Sequence, residues 1–158
     1  MDTTKPESGT RVERAGLWRR LGAMFYDSLL IFAITWCVTA LNVGLRVWWS
    51  GADQVRAAGG RAASGLPLQV ALGLAIAAFF VWFWTRSGQT LGMQSWRLRV
   101  ETEDGALPGW RRALARLALA CVSALCLGAG YWWILVDRDR LAWHDRLTRT
   151  RVVVLPKS

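Results

Sequence analysis

Three long apolar runs constrain this 158-residue chain more than any other feature of its sequence. The first, helix one, extends from about Leu17 to Leu45, and Asp27 is its only charge after Arg20. The second, Leu66–Thr85, and the third, Leu117–Val136, each contain 20 residues and no charge. About 20 apolar residues in a helix cover the ~30 Å hydrocarbon core of a bilayer, and one small soluble core has no room for three such runs. The sequence therefore predicts an integral membrane protein.

Positive charges lie at the ends of these runs, although the net charge of +9 alone would also suit a nucleic-acid-binding protein. The arrangement is instead typical of topology signals and of contact with anionic lipids at the cytoplasmic face, so nucleic acid is not an expected partner. The N-terminal flank carries five Lys and Arg residues, the first connection three, the second six and the C-terminal tail six. The positive-inside rule then predicts a cytoplasmic N-terminus and second connection, with residues 46–65 outside.

The third apolar run is open to two interpretations. Gly128, Ala129 and Gly130 lie near its middle, where a helix can continue or break. A straight span would send the six positive charges of the tail outside, against the positive-inside rule. A re-entrant hairpin would keep the tail inside, provided that protein covers the broken backbone. We favour the re-entrant hairpin and keep the span as the alternative.

The remaining segments predict little regular structure. Residues 1–16 are polar and contain Pro, Ser and Gly, which indicates a disordered cytoplasmic tail. Residues 97–102 alternate in character and run into the turn sequence 103–105, which predicts a hairpin or a single strand; residues 150–155 are also strand-like and could pair with it. The predicted fold is an all-α membrane protein with two transmembrane helices, a third apolar segment (span or re-entrant hairpin) and a small cytoplasmic β-hairpin or strand element.

Asp27 is the charge that needs an explanation, because a carboxylate at the centre of a membrane helix costs roughly 2.5–3.5 kcal/mol on translocon scales. Arg20 shares its helix face but lies seven residues away, about 10.5 Å along the axis. Arg112 and Arg116 share a face where the third run begins, and Arg116 is the best candidate partner because it lies closest to the apolar residues. The pair would be either a structural lock between helices or a proton or ion site.

No residue pattern predicts catalysis or metal binding. His144 lies beside Asp145, but no Ser or Cys nucleophile is placed to complete a triad, and His144 is the one histidine of the chain. Cys37, Cys121 and Cys126 all lie in apolar runs without metal-ligand spacing. We therefore predict no catalytic residues, no metal, no cofactor and no enzymatic activity.

Four motifs in order resemble the RDD family of small bacterial integral membrane proteins, named for one arginine and two aspartates. RRLGAMFYD begins helix one, GQTLGMQSWRLRV resembles a Gly-x-Thr-Leu-Gly-Lys motif that runs into a strand, and two spaced arginines and WHDRLTRTRVVV follow. Met93 departs from the pattern, since it stands where many members carry lysine, so no role of that lysine is carried over. The residues that match the pattern are Arg20, Asp27, Gly88, Thr90, Gly92, Arg112, Arg116, His144, Asp145 and Thr150.

The resemblance implies an RDD-type transmembrane domain over residues 17–155 of a multi-pass protein in the bacterial inner membrane, and a role in transport. Cation/proton antiport has been attributed to at least one member. We carry two hypotheses: a component of small-solute or cation/proton transport, in which Asp27 exchanges a proton or ion, and a non-transporting scaffold or accessory subunit with a structural network of charges. Three segments of one chain enclose no pathway, so transport would require a homo-oligomer or a partner membrane subunit.

Overall fold

The computed structural model describes residues 13–59 and 65–156 as a mostly helical protein with one small sheet. A 3₁₀ turn over Trp133–Leu135 follows directly on the short helix Ala129–Trp132. In chain order, the elements are α1 (Leu17–Ser50), α2 (Ala52–Ala58), α3 (Leu66–Arg86), α4 (Leu91–Ser95), β1 (Leu98–Thr102), α5 (Trp110–Leu125), α6 (Ala129–Trp132), α7 (Trp143–Leu147) and β2 (Thr150–Val154).

Helices α1 and α3 are long and apolar enough to cross a membrane, which confirms the first two predicted spans. α1 has 34 residues and continues five residues beyond the predicted end, because nothing in residues 46–50 breaks a helix before Gly51, whose φ of 85° ends it. α3 begins at Leu66 with Pro67 in its first turn, where a missing N–H leaves no bond unmade. Large apolar side chains on both helices are exposed, as lipid-facing helices require.

The third apolar run is broken, as its central glycines suggested. α5 and the helical turns of residues 129–135 meet at an angle of 102°. Leu127 and Gly128, with φ of 53° and 74°, make the bend. After it, Gly130 packs so closely on α5 that a Cβ there would lie 2.9 Å from Ser123 Cβ. The bend has the geometry of a broken span or a re-entrant loop.

The two predicted strand segments pair with each other and do not form a local hairpin. β1 and β2 are antiparallel, and their register places Leu98 opposite Val154 and Thr102 opposite Thr150. The turn after β1 closes with a hydrogen bond from Gly105 N to Thr102 O of 2.9 Å, but the chain then enters α5. The small strand element is therefore confirmed, with its partner supplied from the C-terminal end.

The N-terminal segment lies along the other edge of β2. Ala15 N donates to Val152 O at 2.9 Å, and Val154 N donates to Glu13 O at 2.8 Å. Most of the predicted disordered tail, residues 1–12, lies outside the described residues. Residues 13–15 thus extend the sheet immediately before α1.

The sheet brings three parts of the chain to one end of the molecule. Because β1 and β2 are hydrogen-bonded, the segment between them leaves this end and returns to it. The N-terminal segment lies at the same end. A small core fills the space between the sheet and the helices: Ala15, Ala23, Trp84, Met93, Leu98, Val100, Ala113, Val152 and Val154.

Candidate functional site: a buried charge cluster beside a cavity

Asp145 lies between two arginines in the interior. Arg20 Nη1 donates to Asp145 Oδ2 and Arg116 Nη1 donates to Oδ1, each at 2.5 Å. The Asp145 side chain has no exposed surface, and Ala142 N also donates to it at 3.0 Å. A buried carboxylate with two guanidinium partners and a backbone donor is well compensated for its loss of water.

The charge state of Asp145 follows from these contacts. Burial alone would raise the pKa of Asp145, but the positive charges of Arg116 and Arg20 outweigh burial and hold the pKa well below its usual range. The carboxyl group therefore stays ionised at neutral pH.

The two arginines connect elements that are distant in the sequence. Arg20 uses its other nitrogens on backbone carbonyls, with Nε to Ala15 O at 3.1 Å and Nη2 to Arg140 O at 3.0 Å. Arg116 Nη1 also donates to Thr150 Oγ1 at 2.7 Å. The cluster thus joins α1, α5, α7 and β2, which identifies it as an anchor of the fold.

Asp27 has neutral partners. Thr90 Oγ1 donates to its Oδ2 at 2.5 Å, and Gly92 N donates to its Oδ1 at 2.9 Å. Thr90 is the N-cap of α4, and its hydroxyl oxygen accepts a bond from Met93 N at 3.2 Å. The carboxylate therefore docks the start of α4 on α1.

Two glycines of the GQTLG motif fit this docking. At Gly92, a Cβ would lie 2.7 Å from Asp27 Oδ1 and closer still to Ala23 O. At Gly88, φ is +73° and a Cβ would lie 2.7 Å from Val100 O. Only glycine fits both positions without a shift of the neighbouring backbone.

The structure separates the predicted charge network into two groups. Arg20, Arg116 and Asp145 form the anchor, whereas Asp27 binds α4, so the predicted Asp27–Arg116 pair is wrong. Arg112 is exposed in the first turn of α5 and lies outside the anchor, which corrects its predicted place in a buried network. Spacing along α5 placed the two arginines on one face, but only Arg116 extends far enough into the protein to meet buried partners.

His144 is buried against the anchor. Its Nε2 lies 3.5 Å from Asp145 Oδ1, and the Tyr131 ring packs on the imidazole with 4.9 Å between centroids. Burial lowers the pKa of His144 to about 3, and the charge of Arg116 adds to the effect. His144 is therefore neutral at neutral pH.

A cavity of about 240 Å³ lies between the sheet and helices α1, α3 and α5. Asp27 and Arg116, which do not bond to each other, both line it. His144 and Arg20 also contribute to its wall, and most of the remaining wall is apolar. Within residues 13–59 and 65–156, no group of three or more His, Cys, Asp or Glu side chains is placed to hold a metal ion.

These features define an integral membrane protein in which two arginines and two aspartates, Arg20, Arg116, Asp27 and Asp145, are buried. The model of the RDD family matches residues 14–149, which is most of the chain, and the protein belongs to that family. Comparisons with curated proteins and with solved structures give no match.

Proposed function

We propose that this protein is a component of small-solute or cation/proton transport in the bacterial inner membrane, where it works as a homo-oligomer or with a partner membrane subunit. One observation carries the proposal: Asp27, an acidic residue of a membrane helix, lines a cavity together with Arg116 and His144. Ionisable groups inside a membrane segment are expensive to maintain and commonly mark ion or proton sites.

Asp27 is better suited to exchange a proton or ion than Asp145. Asp145 is held between two cations, and protonating it would leave both arginines without their counter-charge. The described partners of Asp27 are a hydroxyl and a backbone N–H, so its charge can change without leaving a buried arginine unpaired. We therefore assign exchange to Asp27 and anchoring to Asp145.

The exposed apolar surface supports assembly with further subunits. Trp36 and Phe32 on α1 are each 71% exposed. Such surface suits either lipid or a second helix, and transport needs neighbouring subunits because two spans and a bent segment do not enclose a pathway. We further propose that the sheet end, with the N-terminus, lies in the cytoplasm, where its basic residues contact anionic lipids.

Reconstitution tests the proposal directly. Purified protein in sealed vesicles should carry coupled flux when a pH gradient is set against a gradient of Na⁺ or K⁺, followed by a pH dye inside the vesicles. Vesicles without protein report leakage. Asp27→Asn, with similar shape but no titratable charge, should abolish the coupled part of the flux. Wild-type coupled flux through an intact Asp27→Asn protein would contradict the assignment.

A scaffold or accessory subunit without transport is the second candidate. It is favoured by the anchor, in which Asp145 is shared by two arginines and four elements meet. It predicts no flux under any of these gradients, while Asp27→Asn weakens assembly by loosening α4 from α1. We retain the sequence-based prediction that the protein is not an enzyme and needs no cofactor.

A further inference from the structure

The cavity has polar groups that the fold itself does not use. Arg116 Nε, Trp84 Nε1 and His144 Nδ1 are buried and have no hydrogen-bond partner among the described residues. All three residues line the cavity, and each is less than a tenth exposed. An unsatisfied buried polar group costs about 1–3 kcal/mol, so three of them in one wall indicate a place where a ligand supplies the missing partners.

Two of these groups, Arg116 Nε and Trp84 Nε1, belong to side chains that pack together in the wall, and both are hydrogen-bond donors. The Arg116 guanidinium carbon lies 5.3 Å from the centre of the Trp84 ring. The Nε of arginine and the Nε1 of tryptophan are both N–H donors and cannot accept. A ligand that satisfies them must therefore present an acceptor atom, of which a carbonyl oxygen is the simplest uncharged example.

The charges around the cavity balance. Two guanidinium groups, Arg20 and Arg116, face two carboxyl groups, Asp27 and Asp145, in or beside the wall, and every oxygen of these carboxyl groups accepts a hydrogen bond. Since His144 is neutral at neutral pH, a charged ligand held at Arg116 and Trp84, away from the exchange site at Asp27, would bring an uncompensated charge into a buried site. The wall therefore favours a neutral ligand.

The cavity opens to the side of the helices. α1 and α5 both pack against α3 but make few contacts with each other. Met24 of α1 and Cys121 and Ala124 of α5 line the cavity and are exposed. Met24 lies in the apolar helix α1, and Cys121 and Ala124 lie in the third apolar run, so we infer that the opening faces the lipid and that a ligand would enter from the bilayer.

We propose that this cavity binds a neutral, membrane-soluble molecule of about ten non-hydrogen atoms whose carbonyl oxygen accepts hydrogen bonds from Arg116 Nε and Trp84 Nε1. The size follows from the volume, since a cavity of about 150 Å³ holds benzene and this cavity is larger by roughly half. The apolar body of the ligand would lie against Leu117 and Ala120 of α5. This inference goes beyond the proposed function, because binding requires no flux.

The cysteines of the chain provide a test with a built-in control. Cys121 lines the cavity, whereas Cys37 of α1 does not, and both are exposed. Two variants, each retaining one of these cysteines, would be placed in nanodiscs and reacted with N-ethylmaleimide in the presence of acetophenone. Acetophenone should slow labelling at Cys121 and leave Cys37 unchanged, whereas simple partition into the lipid would affect both sites alike. Saturation-transfer NMR on acetophenone gives a second readout.

Matched probes test the chemistry. Ethylbenzene lacks the carbonyl oxygen and should protect Cys121 about two- to tenfold more weakly, the value of a net hydrogen bond. Trp84→Phe replaces the indole by a smaller aromatic ring without an N–H, and should weaken protection by acetophenone but not by ethylbenzene. Benzoate and 1-phenylethylamine, an anion and a cation, should protect less than acetophenone. Equal protection at both cysteines, no protection by acetophenone in either readout, or stronger protection by a charged probe would overturn the inference.

Discussion

Arg20 and Asp145 are separated by 125 positions in the sequence, yet they form a buried ion pair of 2.5 Å. The pair joins the start of α1 to the short helix α7, which directly precedes β2. Arg116 completes the arrangement from α5. Arg20 and Asp145 thus hold the start of α1 against α7, while Asp27 has a separate position beside the cavity.

A double-mutant cycle distinguishes these positions. Replacing Arg116 or Asp145 by Ala should each cost about 3–5 kcal/mol of unfolding free energy, because each leaves a buried charge unpaired, and the double change should cost much less than the sum. Asp27 and Arg116 share no bond, although both residues line the cavity, so the coupling between Asp27→Ala and Arg116→Ala should be much smaller than that of the ion pair. Denaturant unfolding in detergent measures both cycles. Strong coupling of Asp27 to Arg116 would restore the pairing that we reject.

The stability should fall in mildly acidic solution because of His144. Its folded-state pKa of about 3 lies below the ordinary 6.5, so between these pH values the unfolded chain binds a proton that the folded protein does not. The unfolding free energy should therefore fall as the pH is lowered through this window, by up to about 1.4 kcal/mol per pH unit. The depressed pKa of Asp145 adds a further loss below its unfolded value, in more acidic solution. His144→Gln should remove most of the slope between about pH 4.5 and 6.5; an unchanged slope would show that His144 is not its source.

Gly92 should be hard to replace. In Gly92→Ala, the added Cβ meets Asp27 Oδ1 and Ala23 O, and we expect a loss of about 1–3 kcal/mol in unfolding free energy from this overpacking. Gly73→Ala in α3 is the matched control, since a Cβ there has nothing within 4 Å. It should leave stability unchanged or raise it by up to about 1 kcal/mol through helix propensity. Equal effects of the two changes would argue against a close contact at Gly92.

For the stability of the protein, the hydroxyl group of Thr90 should matter more than the size of its side chain. Thr90→Val keeps the shape but removes the donor to Asp27 and the cap of α4, and should cost about 1–3 kcal/mol. Thr90→Ser should recover most of this loss. Thr85→Val, whose hydroxyl bonds to its own helix, is expected to have little effect. Thermal unfolding of the three variants in one detergent makes the comparison, and a Ser variant as unstable as the Val variant would contradict the role of the hydroxyl.

Membrane orientation can be tested at two exposed positions. Asp104 lies in the turn after β1 and Asp53 lies in α2, and both residues are exposed. The two test variants are Asp104→Cys and Asp53→Cys. In a background without native cysteines, an impermeant thiol reagent added to intact cells should label position 53, and label position 104 only after the membrane is opened. The reverse pattern would place the sheet end outside and overturn the charge-based topology.

Apolar length and charge distribution predicted most of the architecture. The spans α1 and α3 follow from local sequence, the glycines around Gly128 favoured a break without excluding a straight span, and residues 150–155 were predicted only as a strand that could pair with residues 97–102. The hydrogen-bond partners of Asp27 could not be predicted from the sequence, because they depend on how α4 packs on α1. The sequence did contain a signal for a helix start that another segment can approach closely, since Thr90 is an N-cap residue and glycine follows two positions later. The cavity left no sequence signal, because its wall is assembled from separate elements.

The division of labour between the two aspartates is the central claim, and one paired measurement tests it most directly. Asp27→Asn and Asp145→Asn would be compared in size-exclusion chromatography and in coupled flux after reconstitution. We predict that Asp145→Asn loses folded, assembled protein, because two buried arginines lose their counter-charge. Asp27→Asn should remain assembled and lose coupled flux. An Asp27→Asn protein with full coupled flux, or an Asp145→Asn protein as stable as wild type, would contradict the account.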